Sequence, residues 1–108
     1  MPISRINIEV PNAVSLEITD EYLKVELSDG RTITVPLIWY PRLLDGTQDE
    51  RSNWRFIGKG QGIHWSDLDE DISVEGLLAG YHSRESQSSF KRWLEDRAKS
   101  GNPGDENK

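Results

Sequence analysis

The chain has 108 residues, enough for one domain with one modest core. It carries a formal net charge of −6, with 34% hydrophobic and 30% charged residues and no cysteine. This composition excludes disulfides and thiolate chemistry and is too aromatic for a disordered chain. It also lacks the basic face that non-specific nucleic-acid binding or docking on an anionic membrane requires.

In chain order, the first third reads as strands. Ile6, Ile8 and Val10 alternate with polar residues until Pro11-Asn12 interrupts them. Val14, Leu16 and Ile18 form a second alternation, and Leu23, Val25 and Leu27 a third. Asp29-Gly30 predicts a two-residue type I′ hairpin, whose return strand carries Ile33 and Val35 and stops at Pro36. An antiparallel meander with one buried face follows.

The middle third predicts short helices. Pro41 sits near the first position of a turn over Trp39–Leu44, and Asp45-Gly46 ends it. Thr47 and Glu50 have the spacing of a capping box, which opens a second short helix reaching Asn53. Trp54, Phe56 and Ile57, then Ile63, His64 and Trp65, are extended runs flanking the glycine-rich turn Gly58–Gly62.

The last third is helical. Ser73 caps a helix with Val74, Leu77 and Leu78 that ends at Gly80. A second helix starts after Ser83 and presents Phe90, Trp93 and Leu94 as an i, i+3, i+4 stripe. The expected organisation is a compact α+β domain over 1–80, an amphipathic helix over 81–99 and a disordered tail over 100–108. The N-terminus has no apolar signal core, and no apolar run approaches the roughly 18 residues of a membrane span. A soluble cytoplasmic protein is therefore expected.

The chemical motifs are weak. The Gly58, Gly60, Gly62 spacing fits neither a Walker loop nor a dinucleotide fingerprint and reads as a tight turn. His64, Ser66 and Asp67 are too close along an extended run to form a hydrolytic triad. The acidic run Asp67, Asp69, Glu70, Asp71 lacks the glycine and twelfth-position glutamate of a calcium loop. It reads as a solvated loop near the N-terminus of the following helix. His82 has no second ligand at helical spacing and reads as a surface residue. No catalytic residue, metal site or cofactor is expected, and the chain is not expected to be an enzyme.

Several blocks together carry a resemblance: Leu27-Ser28-Asp29-Gly30-Arg31, Tyr40-Pro41-Arg42-Leu43, Trp54-Arg55-Phe56-Ile57-Gly58, Gly62-Ile63-His64-Trp65 and Leu68-Asp69-Glu70-Asp71-Ile72-Ser73. Their order resembles the small bacterial family called domain of unknown function 2442, over about residues 5 to 80. The resemblance implies a strand-rich N-terminal part followed by short helices. It also implies a neighbouring gene for a second small protein of the 4160 type, in an arrangement like a toxin–antitoxin pair. It supplies no catalytic residues.

Two functions are expected from these readings. The first is a protein-binding module, the antitoxin-like or regulatory partner of a small and basic neighbour. Its contacts would be Asp67, Asp69, Glu70 and Asp71 in the acidic loop and Phe90, Trp93 and Leu94 on the helix, unless that stripe covers an open sheet face instead. The alternative is a dimeric DNA-binding regulator using Arg84, Lys91, Arg92 and Arg97, although the net charge makes nucleic acid a poor partner. Homo-oligomerisation is compatible with both.

Overall fold

The structure, a computed structural model, describes residues 9–83 and 85–99. Ile6 and Ile8 of the first expected strand, Arg84 and the expected tail over 100–108 lie outside the described residues. Strands β1 (Ala13–Ile18), β2 (Tyr22–Leu27) and β3 (Thr32–Pro36) form one antiparallel sheet in the order β1-β2-β3. Strands β4 (Trp54–Ile57), β5 (Gly62–Trp65) and β6 (Glu70–Ser73) form a second in the order β4-β5-β6. Helices α1 (Pro41–Asp45) and α2 (Gln48–Ser52) connect the two sheets, and α3 (Val74–Ala79) and α4 (Gln87–Lys99) follow. The fold is α+β, as expected.

The first meander forms as its alternation predicts, with two local differences. The β2–β3 turn holds three residues rather than two: Leu27 N–H donates to Arg31 O (2.8 Å) and Gly30 N–H to Leu27 O (3.0 Å). Gly30 takes the left-handed position at φ +95°, as in a type I turn closed by a bulge. The Asp29 carboxylate accepts from Arg31 N–H at 3.1 Å, so its side chain rather than a positive φ stabilises the turn. The second difference is a bulge at Val14. Ala13 pairs with Leu27 and Ser15 with Glu26, so Ala13 is buried and Val14 turns outward.

Leu23, Val25, Leu27 and Val35 of the first sheet share one core with Ile63, Trp65 and Ile72 of the second, and with Leu37, Leu43, Leu68, Val74 and Leu77. The aromatic set divides: Tyr40 and Trp65 are core, while Trp39 and Trp54 are half-buried against it. The glycine turn joins the two sheets. Gly60 has φ +98°, and a Cβ there would meet Ala13 O at 2.5 Å, so β1 packs directly on this backbone.

The capping box of α2 is complete, with Thr47 and Glu50 each bonded to the other's backbone N–H. Arg51 in the same helix is, among the described residues, the one buried charged side chain. Its guanidinium donates to Leu43 O and Leu44 O, both at 2.8 Å, and to Asp20 at 2.8 Å. It thereby satisfies Leu44 O at the end of α1 and adds a second bond to Leu43 O, which also accepts from the capping Gly46 N–H at 3.2 Å. Trp65 Nε1–H in turn donates to Arg51 O at 3.0 Å.

The acidic run is not the solvated loop the sequence suggests. Only residues 66–69 turn, while Glu70–Ser73 pairs as β6 with β5, Trp65 opposite Glu70 and Ile63 opposite Ile72. Strand alternation then places Glu70 on the same face as buried Ile72, with Asp71 and Ser73 on the exposed face. Ser73 caps α3 by accepting from Gly76 N–H at 2.9 Å, and Gly80 ends it at φ +78°. Helix α4 starts at Gln87, later than expected, because Ser86 rather than Ser83 supplies the cap: its Oγ accepts from Ser89 N–H at 3.1 Å.

Candidate functional site

The turn before β6, the start of α1, and the segment between α3 and α4 enclose a cleft of about 530 Å³. Asp69, Glu70 and Asp71 line one side, and Tyr40, Arg42, Tyr81, His82, Ser83, Glu85 and Ser89 the other. Three of the four expected acidic residues therefore converge here. Asp67 does not: its carboxylate accepts from Asn53 Nδ2 at 3.0 Å and it is not part of the cleft lining.

Arg42 organises the site. Its Nε and Nη2 hold the Glu85 carboxylate at 3.0 and 2.6 Å, and its Nη1 donates to Leu68 O and Asp69 O at 3.2 and 3.3 Å. One guanidinium thus pins the acidic turn to the segment leading into α4. Bonding to Glu85 raises the Arg42 pKa, and bonding to Arg42 holds Glu85 below the usual carboxylate range. The guanidinium carbon also lies 4.9 Å from the centroid of the Trp93 ring, and that of Arg97 lies 4.6 Å from it.

Arg97 continues across to α2, donating to both Glu50 carboxylate oxygens at 3.0 Å and lying 3.5 Å from Asp45. Phe90 stacks on Trp93 at 5.6 Å, and Leu94 is half-buried. Trp93 of this stripe packs against the domain's own core, and α4 is held at the α1–α2 corner through Arg42, Asp45 and Glu50. The two stretches nominated by sequence, acidic run and helix, meet at Arg42.

Around the rim, Tyr40 O–H donates to Tyr81 O at 2.9 Å, and burial, with nearby Glu70 adding to it, pushes its hydroxyl up to about 12. His82 stacks on Trp39 with ring centroids 3.9 Å apart, so this surface histidine has an aromatic seat. His64 pairs with Asp71 across the β5–β6 register, not with Ser66 or Asp67. Among the described residues no group of three or more His, Cys, Asp or Glu side chains is arranged to hold a metal ion. Tyr40, Arg42 and Glu85 were not identified as site residues from sequence. Glu85 lies 43 positions from Arg42, and no local pattern links the two.

Glu70 stands apart. No hydrogen bond or ion pair among the described residues reaches its carboxylate, although strand alternation turns it inward beside Ile72. Burial pushes its pKa up to about 7; Arg42 opposes the shift, while Glu85, Asp71 and Asp69 add to it. A carboxyl whose folded pKa exceeds its ordinary 4.5 stabilises the fold fully below that value and loses the effect as pH rises through about 7. Glu50 and Glu85, depressed by Arg97 and Arg42, act in the opposite sense: their contribution is lost as pH falls below the ordinary carboxylate range. Thermal melts are expected to show highest stability near about pH 5 and a loss of about 1 kcal/mol, or roughly 4–8 °C in Tm, toward pH 8. Glu70→Gln should remove that loss, and an unchanged slope in the variant would refute the assignment.

Comparison with known proteins adds the following. The family described as "Protein of unknown function (DUF2442)" matches residues 13–83. No curated protein matches. A protein of unknown function from Rhodospirillum rubrum is 28% identical with a TM-score of 0.58, over 72% of this chain and 94% of that one. An uncharacterized protein from Chromobacterium violaceum, 19% identical with a TM-score of 0.57, shares the fold over 76% of this chain and 75% of its own. Among the described residues no helix is long and apolar enough to cross a membrane.

Proposed function

The chain belongs to the DUF2442 family, and we propose that it is a cytoplasmic protein-binding module, not an enzyme, whose acidic cleft takes a basic segment of a partner protein. The observation that supports this most is Glu70, an inward carboxylate at the cleft without a bonding partner among the described residues. An arriving arginine or lysine side chain would supply the missing counter-charge and restore the ionised form, so binding near neutral pH releases a proton. Arg42, paired with Glu85 and at 3.8 Å with Asp69, is, among the described residues, the one arginine or lysine in a lining that holds Asp69, Glu70, Asp71 and Glu85, so the cleft carries a net acidic potential that steers a basic partner.

The family resemblance suggests the partner: the small protein encoded next to this one, with this chain as the antitoxin-like half. The DNA-binding reading is less well supported, because Arg97 is engaged by Glu50 and Asp45 and so does not contribute to an open basic stripe. Co-expression with the neighbouring product followed by size-exclusion chromatography tests the proposal. A single complex is expected from the wild type, and its loss is expected when Asp69→Asn, Glu70→Gln and Asp71→Asn are combined. Separate elution of the wild-type pair would refute it.

A further inference from the structure

Helix α4 is attached to the rest of the molecule in an unusual way. It has 13 residues and none is buried. Its hold includes three matched points: Glu85, just ahead of the helix, on Arg42; Trp93 over the Arg42 guanidinium and against the edge of the core; and Arg97 on Glu50 and Asp45. The receiving corner therefore presents a cation at one end and two carboxylates at the other, an arrangement that selects both the direction and the register of a helix. The family match ends at residue 83, so Arg42, Asp45 and Glu50 lie inside the family scaffold, whereas Glu85, Trp93 and Arg97 lie beyond it. The buried core that stabilises the scaffold runs from Ala13 to Leu77, and α4 contributes to it only the half-buried Trp93, packed against its edge.

We infer that the α1–α2 corner is a helix-docking surface for a partner protein, and that α4 is its built-in, displaceable occupant. The partner helix it fits is amphipathic, with an acidic residue just ahead of its first turn, an aromatic residue in its second, and an arginine one turn further on. This rests on reading the chain as a protein-binding module and adds a second contact with its own control. Because α4 is tethered, it holds the corner at high effective concentration, and a partner helix gains access only by outcompeting it. Exchange replaces Glu85 by an equivalent acid on Arg42 and leaves Asp69, Glu70 and Asp71 in place.

A fluorescein-labelled peptide of residues 85–99, followed by anisotropy, is the probe. It should bind full-length chain carrying Glu85→Gln and Trp93→Ala, whose own helix is loosened, at least about ten-fold more tightly than wild-type chain. An Arg97→Glu peptide, or Glu50→Arg in the receptor, should weaken that binding by about ten-fold or more. Equal binding to wild-type and loosened chains, no binding to either, or insensitivity to both charge reversals would overturn the inference.

Amide hydrogen exchange on the wild type gives a second reading that does not depend on any variant folding. Amides of α4 should exchange at least about 100-fold faster than those of β2 and β5, because the helix opens without the core. Protection of α4 equal to that of the core strands would make it an integral part of the fold and overturn the inference. Neither measurement alters Asp69, Glu70 or Asp71, so their failure leaves the cleft reading standing, and loss of partner binding in the variants of those three carboxylates leaves this one standing.

Discussion

Replacing Arg51 with alanine is expected to destabilise the chain by about 2–4 kcal/mol through lost carbonyl bonds and lost packing of the stem, read as a lower urea midpoint at unchanged slope. The residue is only 9% exposed, and its side chain bonds Leu43 O, Leu44 O and Asp20 together. Its removal strands Leu44 O and leaves Leu43 O with only the 3.2 Å bond from Gly46 N–H, and a carbonyl left unsatisfied in a buried position costs about 1–3 kcal/mol. Arg51→Lys should recover only part of the loss, since a single ammonium cannot span both carbonyls and the carboxylate. Asp20→Ala should cost less than about 1 kcal/mol, because the Asp20 side chain is 88% exposed and screened by water. Equal losses for Arg51→Ala and Asp20→Ala would show that the surface ion pair, and not the carbonyl contacts, carries the effect.

Trp65→Ala should cost as much or more, about 3–5 kcal/mol for the cavity alone. The indole is fully buried where the two sheets and the helical connection share one core, and its Nε1–H is bonded to Arg51 O. Trp65→Phe keeps most of the volume and loses that bond, so a cost of about 1–3 kcal/mol separates the packing share from the hydrogen-bond share. Because Arg51 and Trp65 belong to one bonded unit, their losses should not add, and a double-mutant cycle should show coupling of about 0.5–3 kcal/mol. For a domain whose total stability is of order 5–15 kcal/mol, either alanine variant leaves little in reserve.

These residues also position the site. Trp65 is the register partner of Glu70 on β6, so the residue that fills the core also sets the height at which Glu70 enters the cleft. Arg51 fixes the end of α1, and Arg42 on α1 clamps the acidic turn and Glu85. The chain from core to cleft is short: Trp65 and Arg51 hold α1 and β6, and those two elements carry the charged residues of the cleft.

Much of this was legible in the sequence where a local period or cap governs the outcome. The strands β2 and β3, the Thr47–Glu50 box and the Ser73 cap formed as their spacing predicts. Strand β6 was hidden because three acidic neighbours around one isoleucine look like solvated loop, and only pairing with β5 gives Ile72 and Glu70 a buried face. The Val14 bulge was hidden because a register shift is a property of two strands and leaves the alternation of one unchanged. Arg51 looks from sequence like any charged residue on a polar helix, yet its burial follows from the carbonyls that α1 brings to it. The acidic half of the site was readable as a charge run, whereas Arg42 and Glu85 meet only through tertiary folding. The apolar stripe of Phe90, Trp93 and Leu94 was readable from its spacing, whereas the Arg42 and Glu50 contacts that hold α4 arise only in the folded chain.

The central claim is that the cleft formed by Asp69, Glu70 and Asp71 binds a basic partner protein, and its most direct test is the elution of the co-expressed pair. The account predicts one peak holding this chain and the neighbouring product, which splits into two when the three carboxylates are neutralised while the circular-dichroism melt stays cooperative. A wild-type pair that elutes separately, or a complex that survives neutralisation intact, would contradict it.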